Sequence, residues 1–390
     1  MDAKPIAEHW LTMTPDYVST WTIWEAVREL LQNSIDQHTA NPHSQLIFDY
    51  RKKEKADSFL VDLEPPANPP SDLVIGSSNA TLPVKTLLLG QTTKGLKKEL
   101  IGEFGEGYKL ALLVLVRLGH DVRIYNGAEI WIPSFEWNDD YGTTLLKVTR
   151  YRTADLEDGD QVNGVMFQIG GVTEYEFGTI VERYLPDTPN GAILDADHLR
   201  RKVFVGGLFV CEMDELVYGY NLAPGTIKLD RDRGMASSFD VAYETSQCWT
   251  ASGDVDALYD NMQKGSLDTS YCSYPSTAQA NHIAARFAVE HPGAVPVTGD
   301  HEAEMYERNG MTVKRVPSAF RDIIRRTIKP VFNRTGTPHE RLERFKKDFV
   351  RNKLSGDSMH ELDAIIEQSK KWRGASGMES KHENDTKVAV

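Results

Sequence analysis

Ile101-Gly-Glu-Phe-Gly-Glu-Gly-Tyr-Lys-Leu-Ala-Leu-Leu-Val-Leu-Val-Arg-Leu118 is the stretch on which the reading of this chain turns. Three glycines, Gly102, Gly105 and Gly107, stand directly before an apolar run in which Leu110, Leu113, Val114 and Arg117 recur at helical spacing. Glycine lets a backbone approach an anion closely, and a helix start offers unpaired N–H groups and the positive end of its dipole. The pattern therefore suits a phosphate. It also suits a loop that only needs tight turns, because short glycine patterns match by chance. The sequence upstream decides between the two.

Thr22 is an N-cap for a helix expected over Ile23–Gln37, with Glu25 at its third position. Trp24, Val27, Leu31 and Ile35 give that helix one core-facing stripe. Glu29 and Asn33 are four residues apart and share another face, which Asp36 extends. A carboxylate beside a neutral oxygen donor suits activation of a water next to Mg²⁺, an ion that prefers oxygen ligands and keeps several waters. A solvated polar face is the alternative for any E-x-x-x-N. Ala26, Leu30 and Ile35 around these polar groups, together with the glycine loop downstream, favour the site.

With Glu29–Asn33–Asp36 as an N box and Gly102-Glu-Phe-Gly105-Glu-Gly107 as a glycine box, the chain resembles the GHKL superfamily of Bergerat-fold ATPases. That superfamily includes the ATPase domains of DNA gyrase, MutL, the ninety-kilodalton heat-shock chaperones, MORC proteins and histidine kinases. Leu87-Leu88-Leu89-Gly90-Gln-Thr-Thr93-Lys94 resembles the start of the family's ATP lid. The likeness covers about residues 15–170. Beyond it, Tyr218-Gly-Tyr-Asn221 and Asp230-Arg-Asp-Arg233 look like parts of a second domain of stand-alone phage and bacterial members. The resemblance implies ATP and Mg²⁺ as cofactors. It makes Glu29 the base that orients the attacking water and Asn33 the Mg²⁺ ligand, and it sets Gly102, Gly105 and Gly107 around the phosphates. Thr93, Tyr108 and Asp36 fall in the same boxes. Lys94 and Lys109 either meet phosphate oxygens or are solvated lysines. Arg231 or Arg233 either reaches the γ-phosphate or belongs to a surface ion-pair run with Asp230 and Asp232.

The sequence departs from the family in two places, one of them Gly164-Val165, where the family often has Gly-Thr, and the other weightier. Where the D-x-G-x-G box is expected before Leu82-Pro83, it reads Ser77-Ser-Asn-Ala-Thr81. The carboxylate that would accept the adenine amino group is missing, as are both glycines. Asp72 is one substitute, and Ser77 acting through a water is another. A histidine kinase is disfavoured, because no His-bearing dimerisation helix precedes Glu29. Two readings follow: a slow Mg²⁺-dependent ATPase that couples nucleotide state to domain movement and a protein partner, or a non-hydrolysing module that acts by protein or nucleic-acid contact. A homodimer is compatible with either.

The expected fold class is α+β: a two-layer sandwich of the Bergerat type over residues 1–170, then a second α/β domain over 171–330 and a helical C-terminal region. The second domain includes a small β-α-β unit near 294–328. Residues 331–373 read as basic helices and 374–390 as a disordered tail. The chain has 390 residues, too many for one ordinary core, and a formal net charge of −13. That charge argues against a broad nucleic-acid surface. Residues 321–353 are the exception, with 11 Lys/Arg against four Asp/Glu. Phe320, Ile323, Ile324, Phe345 and Phe349 there recur as core-facing positions, so the cations read first as a solvated face. Contact with nucleic acid through Arg325, Arg326, Lys346 and Lys347 is the less favoured alternative. No apolar run reaches membrane-spanning length, and the N-terminus lacks a signal pattern. Cys211, Cys248 and Cys272 have no metal-ligand spacing and read as free thiols of a cytoplasmic protein.

Overall fold

The computed structural model describes residues 4–51, 71–88, 107–155, 161–228, 237–272, 275–328, 338–350 and 355–371. The chain is mixed α/β and divides into two compact units, Met1–Cys248 and Trp249–Val390.

The first unit is built on a seven-stranded sheet. Its strands are β1 (Ala7–Leu11), β2 (Leu46–Arg51), β3 (Ser71–Ser78), β4 (Asp121–Asn126), β5 (Glu129–Asn138), β6 (Thr143–Arg152) and β7 (Gly164–Val172). They lie in the order β1-β6-β5-β4-β7-β3-β2, and every pairing is antiparallel. β1 is an edge strand that its short, mixed sequence does not announce. Helices α1 (Ile23–Ala40) and α2 (Gly107–Arg117) pack on each other, α1 also on β3 and α2 on β4 and β5. Thr22 and Glu25 form a reciprocal capping box at the start of α1, with Thr22 N–H donating to Glu25 Oε2 over 2.7 Å. That box satisfies two of the first-turn donors that a helix leaves open.

The core between helices and sheet takes alternate residues of each strand, as the two-residue period requires. Leu73 and Ile75 of β3, Val122 and Ile124 of β4, Trp131 of β5, Leu146 and Val148 of β6, and Phe167 and Ile169 of β7 join Ala26, Val27, Leu30 and Leu31 of α1 and Leu112 to Leu115 of α2. The core does not stop at the boundary expected near residue 170. Helix α3 (Glu174–Val181) brings Ile180 into it, and Tyr184 and Leu208 belong to it as well. Phe177 stacks on Tyr50 with ring centroids 4.0 Å apart. Apolar burial therefore ties 171–184 to the sheet.

A four-stranded sheet follows in the same unit, ordered β10-β9-β11-β8, from β8 (Ala192–Leu194), β9 (Lys202–Val205), β10 (Leu208–Glu212) and β11 (Gly219–Leu222). A Gly206-Gly207 hairpin joins β9 to β10, with φ of 57° and 81° at the two glycines, as a tight primed turn demands. Asn221 is fully buried. Its Oδ1 accepts from Gly207 N–H at 2.8 Å and its Nδ2 donates to Thr188 O at 2.8 Å, so this residue of the Tyr218–Asn221 motif locks the turn.

Two helices cover residues 238–264. Helix α4 (Ser238–Ser252) ends at Gly253, whose φ is 75°, and α5 (Val255–Lys264) restarts behind an Asp254 cap. In the second unit, α6 (Thr277–Glu290) is followed by β12 (Val295–Val297), α7 (Asp300–Arg308), β13 (Val313–Arg315) and α8 (Ser318–Thr327). β12 and β13 pair in parallel, so the β-α-β unit is present. Tyr259, Phe287 and Phe320 pack edge to face at 5.0 and 6.1 Å across α5, α6 and α8. Helices α9 (Pro338–Phe345) and α10 (Gly356–Ser369) complete the described chain. Among the described residues no helix is long and apolar enough to cross a membrane.

Candidate functional site

Glu29 lies in the second turn of α1, where the helical period turns it toward the start of α2. The residue is 6% exposed. A Cβ built on Gly107, the first residue of α2, would overlap Glu29 Oε2 and stand 3.1 Å from its Cδ. The carboxylate therefore occupies the volume that any other side chain at 107 would take. The two stretches singled out in the sequence meet here, at the N-terminal end of a helix.

Asn33 is partly buried, and its Nδ2 donates to the Glu29 backbone carbonyl over 2.8 Å. With the NH₂ turned into the helix, Oδ1 is the atom through which Asn33 can meet a cation. Asp36 is deeper, at 2% exposed. The three polar residues do share a stripe, but Asp36 sits in the packed part of it. Among the described residues no group of three or more His, Cys, Asp or Glu could hold a metal. A neutral amide oxygen and a nearby carboxylate fit an ion that takes one or two protein oxygens and leaves its other positions to water and phosphate.

Helix α2 is fixed at both ends by cations, one buried and one half-buried. Lys109 is fully buried, and its Nζ donates to the carbonyls of Thr86 at 3.0 Å and Leu88 at 2.6 Å. This ties α2 to the 3-10 turn Val84–Leu87. Lys109 is thus neither a solvated lysine nor a cation free to meet phosphate. Tyr108 shares the bond set: its hydroxyl lies 2.9 Å from Thr86 Oγ1, which itself donates to Pro83 O at 2.7 Å. Burial pushes the Tyr108 phenol well above its ordinary range, and the Thr86 hydrogen bond only partly opposes this. At the other end, Arg117 donates to the carbonyls of Pro15, Tyr17, Val18 and Trp21 at 2.9–3.1 Å. It clamps the loop that enters α1. Helical spacing alone did not reveal that role.

Asp72 belongs to the other side of the sheet. It alternates with Leu73 and Ile75, which face the helices, and its Oδ2 accepts from the Gln168 side-chain amide Nε2 at 2.7 Å. Gln168 likewise alternates with the core residues Phe167 and Ile169. Strand pleating thus removes Asp72 as a substitute for the missing adenine carboxylate on the helix side. Ser77 lies in phase with Leu73 and Ile75 and is 4% exposed. Asn79 follows with φ of 51°, a left-handed conformation that Asn tolerates better than most residues. It supplies at that position the turn a glycine would otherwise make.

Thr93, Lys94, Gly102, Gly105, Arg231 and Arg233 lie outside the described residues, as does the strand expected over Phe59–Leu63. In the basic segment, Arg325 donates to Pro296 O at 2.6 Å and to Glu302 Oε1 at 2.7 Å, and it sits 5.2 Å from the Tyr306 ring centre. Lys346 is paired with Asp363. These two cations are spent within the chain, which weakens the nucleic-acid reading. No family model and no curated protein matches this chain.

Proposed function

We propose that this chain is a GHKL-type ATPase that binds ATP with Mg²⁺ and hydrolyses it slowly, with the nucleotide state passed to a protein partner. The observation that carries the reading is the meeting of Glu29 with Gly107. It sets a carboxylate beside the N-terminal end of α2, where main-chain N–H groups and the helix dipole favour an anion. Glu29 orients the attacking water and accepts its proton. Asn33 Oδ1 would hold Mg²⁺, which supplies charge neutralisation on the phosphates when bound. Lys109 and Arg117 act indirectly by fixing α2 against the segments before it.

A non-hydrolysing binding module is the second reading. The Gln168-bound position of Asp72, on the sheet face away from α1 and α2, favours it, because Ser77 is then left to meet a base on the helix side. Phosphate release from Mg·ATP separates the two readings. The ATPase reading expects turnover in the wild type and its loss in Glu29→Ala. Equal release by both proteins, each purified free of contaminating ATPase, would overturn it.

A further inference from the structure

Arg28, the neighbour of Glu29, is 4% exposed. A guanidinium carries five N–H donors, and burying one is costly unless they are satisfied. Here Nη2 makes a single 3.4 Å contact with Glu29 Oε1. Nε is buried without any hydrogen-bond partner. The group otherwise lies 5.7 Å from the centre of the Trp21 ring. A buried donor left without an acceptor calls for an explanation in function or strain. The long, one-pronged contact is also unlike the two-pronged pairing of Arg150 with Glu129, where Nε donates to Oε2 at 3.0 Å and Nη2 to Oε1 at 2.7 Å.

We propose that Arg28 is a positioning residue for Glu29: its guanidinium holds the buried carboxylate in place opposite Gly107. The inference rests on the ATPase reading above. Two neighbours on a helix point about 100° apart, so they cannot form an ideal fork. The pairing is kept at the expense of Arg28's own hydrogen bonds, and its beneficiary is Glu29. Without the cation, the carboxylate loses the guanidinium contact that fixes its orientation. It then turns away from Gly107, which removes the base while leaving the phosphate-binding backbone untouched.

The test compares wild type, Arg28→Met and Arg28→Lys in thermal unfolding, Mg·ATP affinity and kcat. Methionine keeps an apolar stem against Trp21, so packing loss is limited. Arg28→Met is expected to bind Mg·ATP within about twofold of wild type while kcat falls at least tenfold, and Arg28→Lys is expected to recover a large part of that loss. An unchanged kcat in Arg28→Met, or a kcat loss in both variants that only follows a loss of folded protein, overturns the proposal. If the wild type itself shows no turnover dependent on Glu29, the ATPase reading has failed and this inference falls with it.

Discussion

The Glu29 carboxylate fills the space beside the Gly107 α-carbon, so that neither residue can be changed without the other responding. Gly107→Ala tests this contact. The atom in the way is the end of a flexible side chain, so the fold should give little, on the order of 1 kcal/mol. The carboxylate should be pushed aside and turnover lost. Adding Glu29→Ala should restore the stability of the alanine variant, because the clash is then gone. Urea unfolding of the two single variants and the double variant measures the coupling; strictly additive stabilities would contradict the contact.

Asp72→Ala should leave Mg·ATP affinity and the preference for ATP over GTP unchanged. Its carboxylate bonds Gln168 on the sheet face away from the helices. The cost should appear in stability instead, at about 1–3 kcal/mol for buried partners left unsatisfied. A loss of base selectivity at constant stability would place Asp72 at the nucleotide after all.

Lys109→Met should loosen the 84–88 segment. Two backbone carbonyls lose a charged donor, and bonds of that kind contribute about 1.5–3 kcal/mol each. Hydrogen exchange should rise at Thr86–Leu88. Protection equal to wild type would show that the lysine is not what holds this turn.

Glu129 gives a pH dependence. Burial alone would raise its carboxyl, but hydrogen bonds from Arg150 and Trp131 and the Arg150 charge outweigh that and hold it below its ordinary value. A depressed folded value means that the stabilisation is present above the unfolded carboxylate range, near about pH 4.3, and is lost as pH falls through the folded value. Glu129→Gln should therefore cost about 1 kcal/mol at neutral pH and progressively less toward acid. Denaturation midpoints between pH 3 and pH 7 measure the difference. A gap that stays constant across that range would refute the ion pair as its source.

Much of this arrangement was legible in the sequence because local signals agreed with one another. The Thr22–Glu25 box sets the start of α1, the period of Val27 and Leu31 sets its buried face, and that face decides where Glu29 points. The side of the sheet taken by Asp72 was not legible, because Leu73, Val74 and Ile75 form one continuous apolar run in a strand buried on both faces, which carries no alternation to read. The roles of Lys109, Arg117 and Arg28 were not legible. Each depends on carbonyls or rings brought in from residues whose spacing to them follows only from the packing of α2 and α1. The edge strand β1 was missed because its identity comes from pairing with β6, more than a hundred residues away, and not from an alternation of its own.

Calorimetric titration of Mg·ATP into the wild-type chain tests the central claim most directly. The account predicts saturable binding at one site per chain, weakened when Mg²⁺ is chelated and retained in Glu29→Ala. The absence of saturable heat at millimolar Mg·ATP, with the protein folded, would contradict it.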